Sequence, residues 1–226
     1  MTVTREPILF LSGAGLGPWV WDEVRHELGA ESSVAPRPVE HSSASLVDYA
    51  EAALAAAPPG RFAVVAHSSG GVVATEVARL APHRVSRFLA VAAVVPENGG
   101  SFVSAVPIPK RWVLTALMRV GGTRPPASAI RRGLGAGLSR EVVDRVIGEF
   151  TPESSRLYLD RTGEHAWGGR RGYLSTTRDR EVPSSAQRDY AERLGPDWHE
   201  ELETGHLPML EDPTALAGSI GRFLNA

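Results

Sequence analysis

The sequence predicts an α/β fold, built on a mainly parallel sheet of about six strands flanked by helices and carrying a small helical cap. Three observations point there. Short apolar runs without polar alternation, such as Phe62 to Val65 and Val85 to Val94, read as strands buried on both faces. Segments with helical spacing separate these runs, which implies right-handed βαβ units. The composition then changes from Pro96 onward, where glycine and proline pairs punctuate short helical patterns.

Taken in order, Ile8 to Leu11 is an apolar strand that ends in the glycine-rich loop Ser12-Gly13-Ala14-Gly15-Leu16-Gly17. Trp21, Val24 and Leu28 have the spacing of a first helix, Trp21 to Leu28, and Ser32 to Ala35 is a short strand. Ser43 or Ser45 caps a helix that runs to Ala56, which Pro58-Pro59-Gly60 ends. Phe62 to Val65 is the next strand, Val72 to Leu80 a helix, and Val85 to Val94 a further strand. Beyond Pro96, short helices are expected at Lys110 to Val120, Ala127 to Leu134 and Arg140 to Phe150, around Gly99-Gly100, Pro107-Ile108-Pro109 and Gly121-Gly122. Thr151 and Pro152 form an N-cap and N1 pair for a fourth, ending near Asp160. Gly172 to Thr176 is a strand, Ser184 to Leu194 a polar helix opened by Pro183, Trp198 to Glu203 a short strand, and Asp212-Pro213 opens a last helix toward Phe223. The expectation is one domain over residues 1–226, with residues 97–167 inserted between two strands as a cap.

The chemistry is concentrated at Ser68. Its setting, Ala66-His67-Ser68-Ser69-Gly70-Gly71, places a serine on a sharp strand-to-helix turn that projects its hydroxyl away from the sheet. The plain structural alternative is a strand, a glycine turn and an ordinary helix. A nucleophilic serine needs a base, the base an orienting acid, and the oxyanion donors. His206, at a Gly-His loop between the last strand and the last helix, is the candidate base; a helix-capping loop histidine is the alternative. Asp179, on the loop leaving Gly172 to Thr176, is the candidate acid, with Glu181 as its rival and a solvated pairing to Arg178 or Arg180 as the alternative. The backbone N–H groups of Ala14 and Ser69 are the candidate oxyanion donors. The loop's G-A-G-L-G spacing lacks the last glycine of a dinucleotide fingerprint, and no acidic residue ends the next strand.

These residues resemble the α/β-hydrolase superfamily, and more narrowly its small esterase and hydroxynitrile-lyase branch. The resemblance runs from Ile8 to Phe223 and is weakest between about Glu97 and Trp167. Ser12-Gly13-Ala14 is similar to the family's first oxyanion loop, Ala66 to Gly71 to its nucleophile elbow, Arg178-Asp179-Arg180 to its acid loop, and Gly205-His206 to its histidine loop. Ser12 stands where a histidine is usual and Ala66 where a glycine is usual; neither belongs to the proton relay. Cyanohydrin-cleaving members carry a lysine just after the histidine and a threonine in the first loop, where this chain has Leu207 and Gly13. The resemblance therefore implies ester hydrolysis. A lyase, cyclase or dehydratase that uses the same three residues for proton transfer is the alternative, and a binding protein on a hydrolase scaffold is a third reading.

At 226 residues and 42% hydrophobic content the chain can bury one sizeable core. A net charge of −2 carries no basic signature for nucleic acid or anionic lipid. No stretch reaches a membrane span's roughly 18 apolar residues, and Met1 to Pro7 is polar and short for a signal peptide. There is no cysteine. A cytoplasmic enzyme acting on a small-molecule substrate is expected, with no cofactor and no metal site; the oligomeric state is left open. Trp112, Leu117 and Met118 in the cap are the candidate walls of an acyl or aromatic pocket, the alternative being that they pack the cap onto the sheet. His67 adjoins the nucleophile, but the turn directs it away, toward packing or a hydrogen bond.

Overall fold

The structure, a computed structural model, describes residues 6–108 and 110–226, apart from the side chains of residues 110, 113, 117 and 119–121. The expectations for residues 1–5, Pro109 and the Leu117 side chain lie outside the described residues. Six strands, β1 Ile8–Leu11, β2 Ser32–Val34, β3 Phe62–His67, β4 Val85–Val91, β5 Arg170–Thr176 and β6 Trp198–Leu202, form one sheet in the order β2-β1-β3-β4-β5-β6. Every pairing is parallel.

Strand periodicity divides the interior in two. Leu9, Leu11, Phe62, Val64, Phe88, Ala90 and Tyr173 enter one buried cluster. Ile8, Phe10, Val65, Leu89, Val91 and Leu174 enter the other. Helices α2 Leu46–Ala56, α3 Gly70–Leu80 and α9 Ser184–Leu194 cover the first face; α1 Asp22–Leu28 and α11 Pro213–Asn225 cover the second. A 3₁₀ turn, Pro18–Trp21, takes the first part of the expected opening helix. Of the two candidate caps, Ser45 starts α2: it accepts from the Asp48 N–H, and its own N–H donates to the Asp48 carboxylate. No helix among the described residues is long and apolar enough to cross a membrane.

Between β4 and β5 the chain forms α4 Phe102–Ala105, α5 Lys110–Gly121, α6 Ala127–Arg132, α7 Arg140–Glu149 and α8 Ser155–Leu159. Val103, Ala105, Leu157 and Tyr158 join the first cluster; Ile130, Val146 and Phe150 join the second. The helix expected from Thr151 and Pro152 starts later, with Ser154 as its cap accepting from the Arg156 N–H. The Thr151 N–H donates to the Gly15 carbonyl and the Ser154 N–H to the Tyr49 hydroxyl of α2, distant contacts that outweigh the local capping signal. The single-turn helices α4 and α10 Pro208–Glu211 are too short to leave a periodic pattern.

Glycine is required where α3 leaves β3. A Cβ on Gly70 would lie 2.7 Å from the Leu11 carbonyl oxygen, and one on Gly71 would lie 2.5 Å from that of Val94. Both obstacles are backbone, which cannot rotate away. Gly71→Ala is therefore expected to lower Tm by about 3–10 °C through overpacking, checked by thermal melting; an unchanged Tm would show that the turn can relax.

Candidate active site

The loops at the C-terminal ends of β3, β5 and β6 converge on one point. Ser68 follows β3 with a backbone φ of 53°, the strained turn that lifts a side chain off a sheet edge. Asp179 lies on the loop after β5, where the N–H groups of Glu181 and Val182 donate to Oδ1 at 2.8 and 2.9 Å. Thr176 Oγ1 donates to Oδ2 at 3.0 Å. His206 follows β6, and its loop is tied to the acid loop by Glu211. That carboxylate accepts from the Gly205 N–H at 2.7 Å and from Arg178 Nη2 at 2.7 Å.

His206 Nδ1 is 2.7 Å from Asp179 Oδ2, and its Nε2 is 3.0 Å from Ser68 Oγ. A carboxylate only accepts, so Nδ1 carries the proton and Nε2 is left to accept from the serine hydroxyl. The side chains of His206 and Asp179 are 1% and 0% exposed, whereas Ser68 is half-buried and reachable. Burial alone would raise the Asp179 pKa; the His206 contact and the two backbone N–H bonds outweigh it and hold the carboxyl below its ordinary value. Glu181, the rival acid, has its backbone N–H on Asp179, and its carboxylate lies near Gly133, away from His206.

The first loop lies directly against this centre. A Cβ on Gly13 would sit 2.9 Å from Ser68 Cβ and 2.8 Å from His67 Nδ1. Trp21 Nε1 donates to Ser12 Oγ at 3.1 Å and anchors the loop's first residue. Among the described residues, neither the Ala14 nor the Ser69 backbone N–H donates to a protein acceptor. Both residues border a cavity of about 70 Å³.

A family profile described as the alpha/beta hydrolase family matches residues 8–219. The chain belongs to this family. Among solved structures, an extracellular α/β-hydrolase from a Paenibacillus species is similar at a TM-score of 0.84 and 18% identity, over 96% of this chain and 98% of that one. A pyrethroid hydrolase from Sphingobium faniae is similar at 0.76 and 20%, over 98% of each chain. A methylesterase from Arabidopsis is similar at 0.73 and 20%, over 97% of this chain and 99% of that one. At such identities these likenesses show a shared fold. No match is found among curated protein sequences.

In this α/β-hydrolase two of the three expected pocket residues, Trp112 and Met118, have described side chains. Trp112 is 67% exposed. Met118 packs, with Leu114, against the first cluster. Leu114 and Met118 are four residues apart on one stripe of α5, and the helical period turns Trp112 away from it. Among the described residues, the cavity is walled instead by Ala14, Leu16, Arg37, Val73, Leu157 and neighbours, and by Glu153, which nothing in the local sequence singles out. Among the described residues, no group of three His, Cys, Asp or Glu side chains is arranged to hold a metal ion.

His67 is fully buried. Its Nε2 is 2.7 Å from the His206 carbonyl oxygen, so Nε2 bears the proton and donates, while Nδ1 has no partner among the described residues. Burial, with the neighbouring His206 adding to it, pushes the His67 pKa from 6.5 down to about 3. In the unfolded chain His67 titrates near its ordinary value, so its neutral form stabilises the fold above about pH 6.5. That contribution falls as pH drops toward 3, by up to about 1.4 kcal/mol per pH unit. The Tm advantage of wild type over His67→Gln is therefore expected to shrink between pH 7 and pH 4.5. A constant difference in paired melts would contradict a neutral buried His67.

Proposed function

We propose that this protein is a serine hydrolase that cleaves a small, mostly apolar carboxylic ester, lactone or thioester through an acyl-enzyme. The observation that carries this reading is the unbroken relay from Asp179 through His206 to Ser68, at 2.7 and 3.0 Å, beside two backbone N–H groups with no acceptor among the described residues. Membership of the α/β-hydrolase family and the esterase and hydrolase names of the structural neighbours support it.

His206 Nε2 takes the hydroxyl proton as Ser68 Oγ bonds to the substrate carbonyl carbon. The carbonyl π-electrons move to oxygen, where the N–H groups of Ala14 and Ser69 stabilise the developing charge. Ser69 is the N-cap of α3, so the helix N-terminus adds to this stabilisation. The intermediate collapses, the C–O or C–S bond breaks, and His206 returns its proton to the leaving group. Water then repeats the sequence on the acyl-enzyme, releasing the acid and restoring Ser68. Asp179 keeps the proton on Nδ1 throughout and balances the imidazolium. The substrate's small apolar group fits the 70 Å³ cavity beside Ala14 and Ser69.

Ser68→Ala is expected to abolish both p-nitrophenyl ester turnover and fluorophosphonate labelling; retention of either would reject the assignment. Asp179→Asn should lower kcat by about 10⁴-fold by leaving His206 in the wrong tautomer, measured with the same esters. For specificity, Val73→Leu should depress kcat/KM for butyrate relative to acetate by roughly tenfold or more, since one methylene in such a pocket is worth about 1–3 kcal/mol. Trp112→Ala should leave that ratio unchanged. A Trp112-dependent ratio would place the acyl group under the cap helix.

A further inference from the structure

Gly13 to Leu16 form a tight turn. The Leu16 N–H donates to the Gly13 carbonyl at 3.2 Å, and Gly15, in third position, has φ 78°, the geometry of a type II turn. Because a trans peptide holds its C=O and N–H in opposite directions, the Gly13–Ala14 unit that aims its carbonyl at Leu16 aims the Ala14 N–H the other way. What distinguishes a type II from a type I turn is the facing of the central peptide, here Ala14–Gly15. A flip of that peptide turns over the Ala14 carbonyl and the Gly15 N–H, the group that Glu153 holds, while the flanking peptides keep their facing. The turn contains nothing of its own to prevent it.

The preventing contacts come from the segment between β4 and β5. Glu153 Oε1 accepts from the Gly15 N–H at 3.0 Å, and the Thr151 N–H donates to the Gly15 carbonyl at 3.1 Å. The Phe150 ring covers the same residue so closely that a Cβ there would lie 2.1 Å away. Glu153 is 7% exposed, and its remaining bonds hold it rigidly: Arg37 Nε donates to Oε1 at 2.8 Å and the Tyr49 hydroxyl to Oε2 at 2.7 Å. Arg37 Nη2 in turn donates to the Leu16 carbonyl at 2.9 Å, so the turn is gripped on both sides of Gly15.

We propose that Glu153 is a positioning residue for the oxyanion loop: its bond to the Gly15 N–H and, through Arg37, the bond to the Leu16 carbonyl seat the turn beside Ser68, so that the Ala14 N–H is held ready for the substrate's carbonyl oxygen. This rests on the hydrolytic reading above. The carboxylate borders the cavity, but its oxygens are taken up by Gly15, Arg37 and Tyr49, so it acts on the reaction through the turn. Its loss therefore weakens stabilisation of the tetrahedral state more than binding of the ester.

The test compares Glu153→Leu, Glu153→Asp and Glu153→Gln on one p-nitrophenyl ester, with a boronic acid as a tetrahedral mimic on Ser68. Glu153→Leu is expected to lower kcat about tenfold to a hundredfold, approaching the loss of an oxyanion donor, with KM changed less than about threefold. Boronate affinity should fall in parallel. Glu153→Gln keeps an acceptor at the same reach and should recover most of the rate, whereas Glu153→Asp keeps the charge but withdraws it by one methylene and should not. A folded Glu153→Leu with wild-type kcat, or with unchanged boronate affinity, would overturn the proposal. If Glu153→Leu fails to fold, the other pair decides: Asp faster than Gln would assign Glu153 to charge pairing with Arg37 instead. Failure of the hydrolytic reading itself looks different, since wild type would then show no Ser68-dependent turnover at all.

Discussion

Ser68 adopts a left-handed backbone conformation that costs a non-glycine residue free energy, of order 1–3 kcal/mol. The neighbouring strand supplies the restraint. The Ser68 N–H donates to the Val91 carbonyl at 3.3 Å, and the Ser68 carbonyl accepts from Val94 at 2.9 Å and Gly71 at 3.1 Å. Just past the end of β4, Ala92 is itself left-handed, at φ 44°, with its N–H on the Leu174 carbonyl of β5 at 2.9 Å. The constraint therefore passes across three adjacent strand ends. Asp179 departs from the last of these, and His206 from the strand beside it. Strand order is what lets residues 138 positions apart in sequence meet at 3.0 Å.

This dependence explains what could be read in advance. Parallel strands buried on both faces announce themselves as apolar or mostly apolar runs, so β1, β3 and β4 were visible in Ile8 to Leu11, Phe62 to Val65 and Val85 to Val94. The Ser-Asp-His order and the glycines around it were visible because close backbone approach excludes a side chain at Gly13, Gly70 and Gly71. The region between β4 and β5 was less legible. Thr151-Pro152 carries a sound local capping signal, yet its backbone is engaged with Gly15, a partner no local pattern reveals. Trp112 is apolar and aromatic, which suggests a pocket; only the packing of Leu114 and Met118 shows which side of α5 faces inward. Glu211, which ties the acid loop to the histidine loop, reads in sequence as one more surface carboxylate.

The two histidines divide their labour through protonation. His206 has Asp179 at one nitrogen and Ser68 at the other, so a proton arriving at Nε2 makes a cation beside a buried anion. His67 lies with its ring centroid 4.7 Å from that of His206. A second cation at that distance, in a setting that water does not screen, would oppose the imidazolium. Burial keeps His67 neutral, and the same neutral tautomer donates to the His206 carbonyl and holds the backbone that carries the base. A residue next to Ser68 in sequence thus holds the backbone of His206, reached through the fold rather than the chain.

A carboxylate buried beside the proposed oxyanion site is at first sight a poor choice, because like charges repel most strongly where water is excluded. The partners of Glu153 resolve this. Arg37 supplies a compensating cation at 2.8 Å, and Tyr49 and Gly15 occupy further lone pairs, so the group enters the site as a neutral, saturated pair. An apolar residue there would leave the Gly15 N–H without its acceptor, and a neutral acceptor would leave Arg37 without its charge. The loop from Ser12 to Gly17 has three glycines and so loses more chain entropy on ordering than most turns. Its shape is consequently imposed from outside, by Trp21 on Ser12 and by Phe150, Thr151, Glu153 and Arg37 around Gly15 and Leu16. The inserted segment and the sheet edge in this way meet at one site: the sheet sets where Ser68 stands, and the insertion sets how the loop beside it is held.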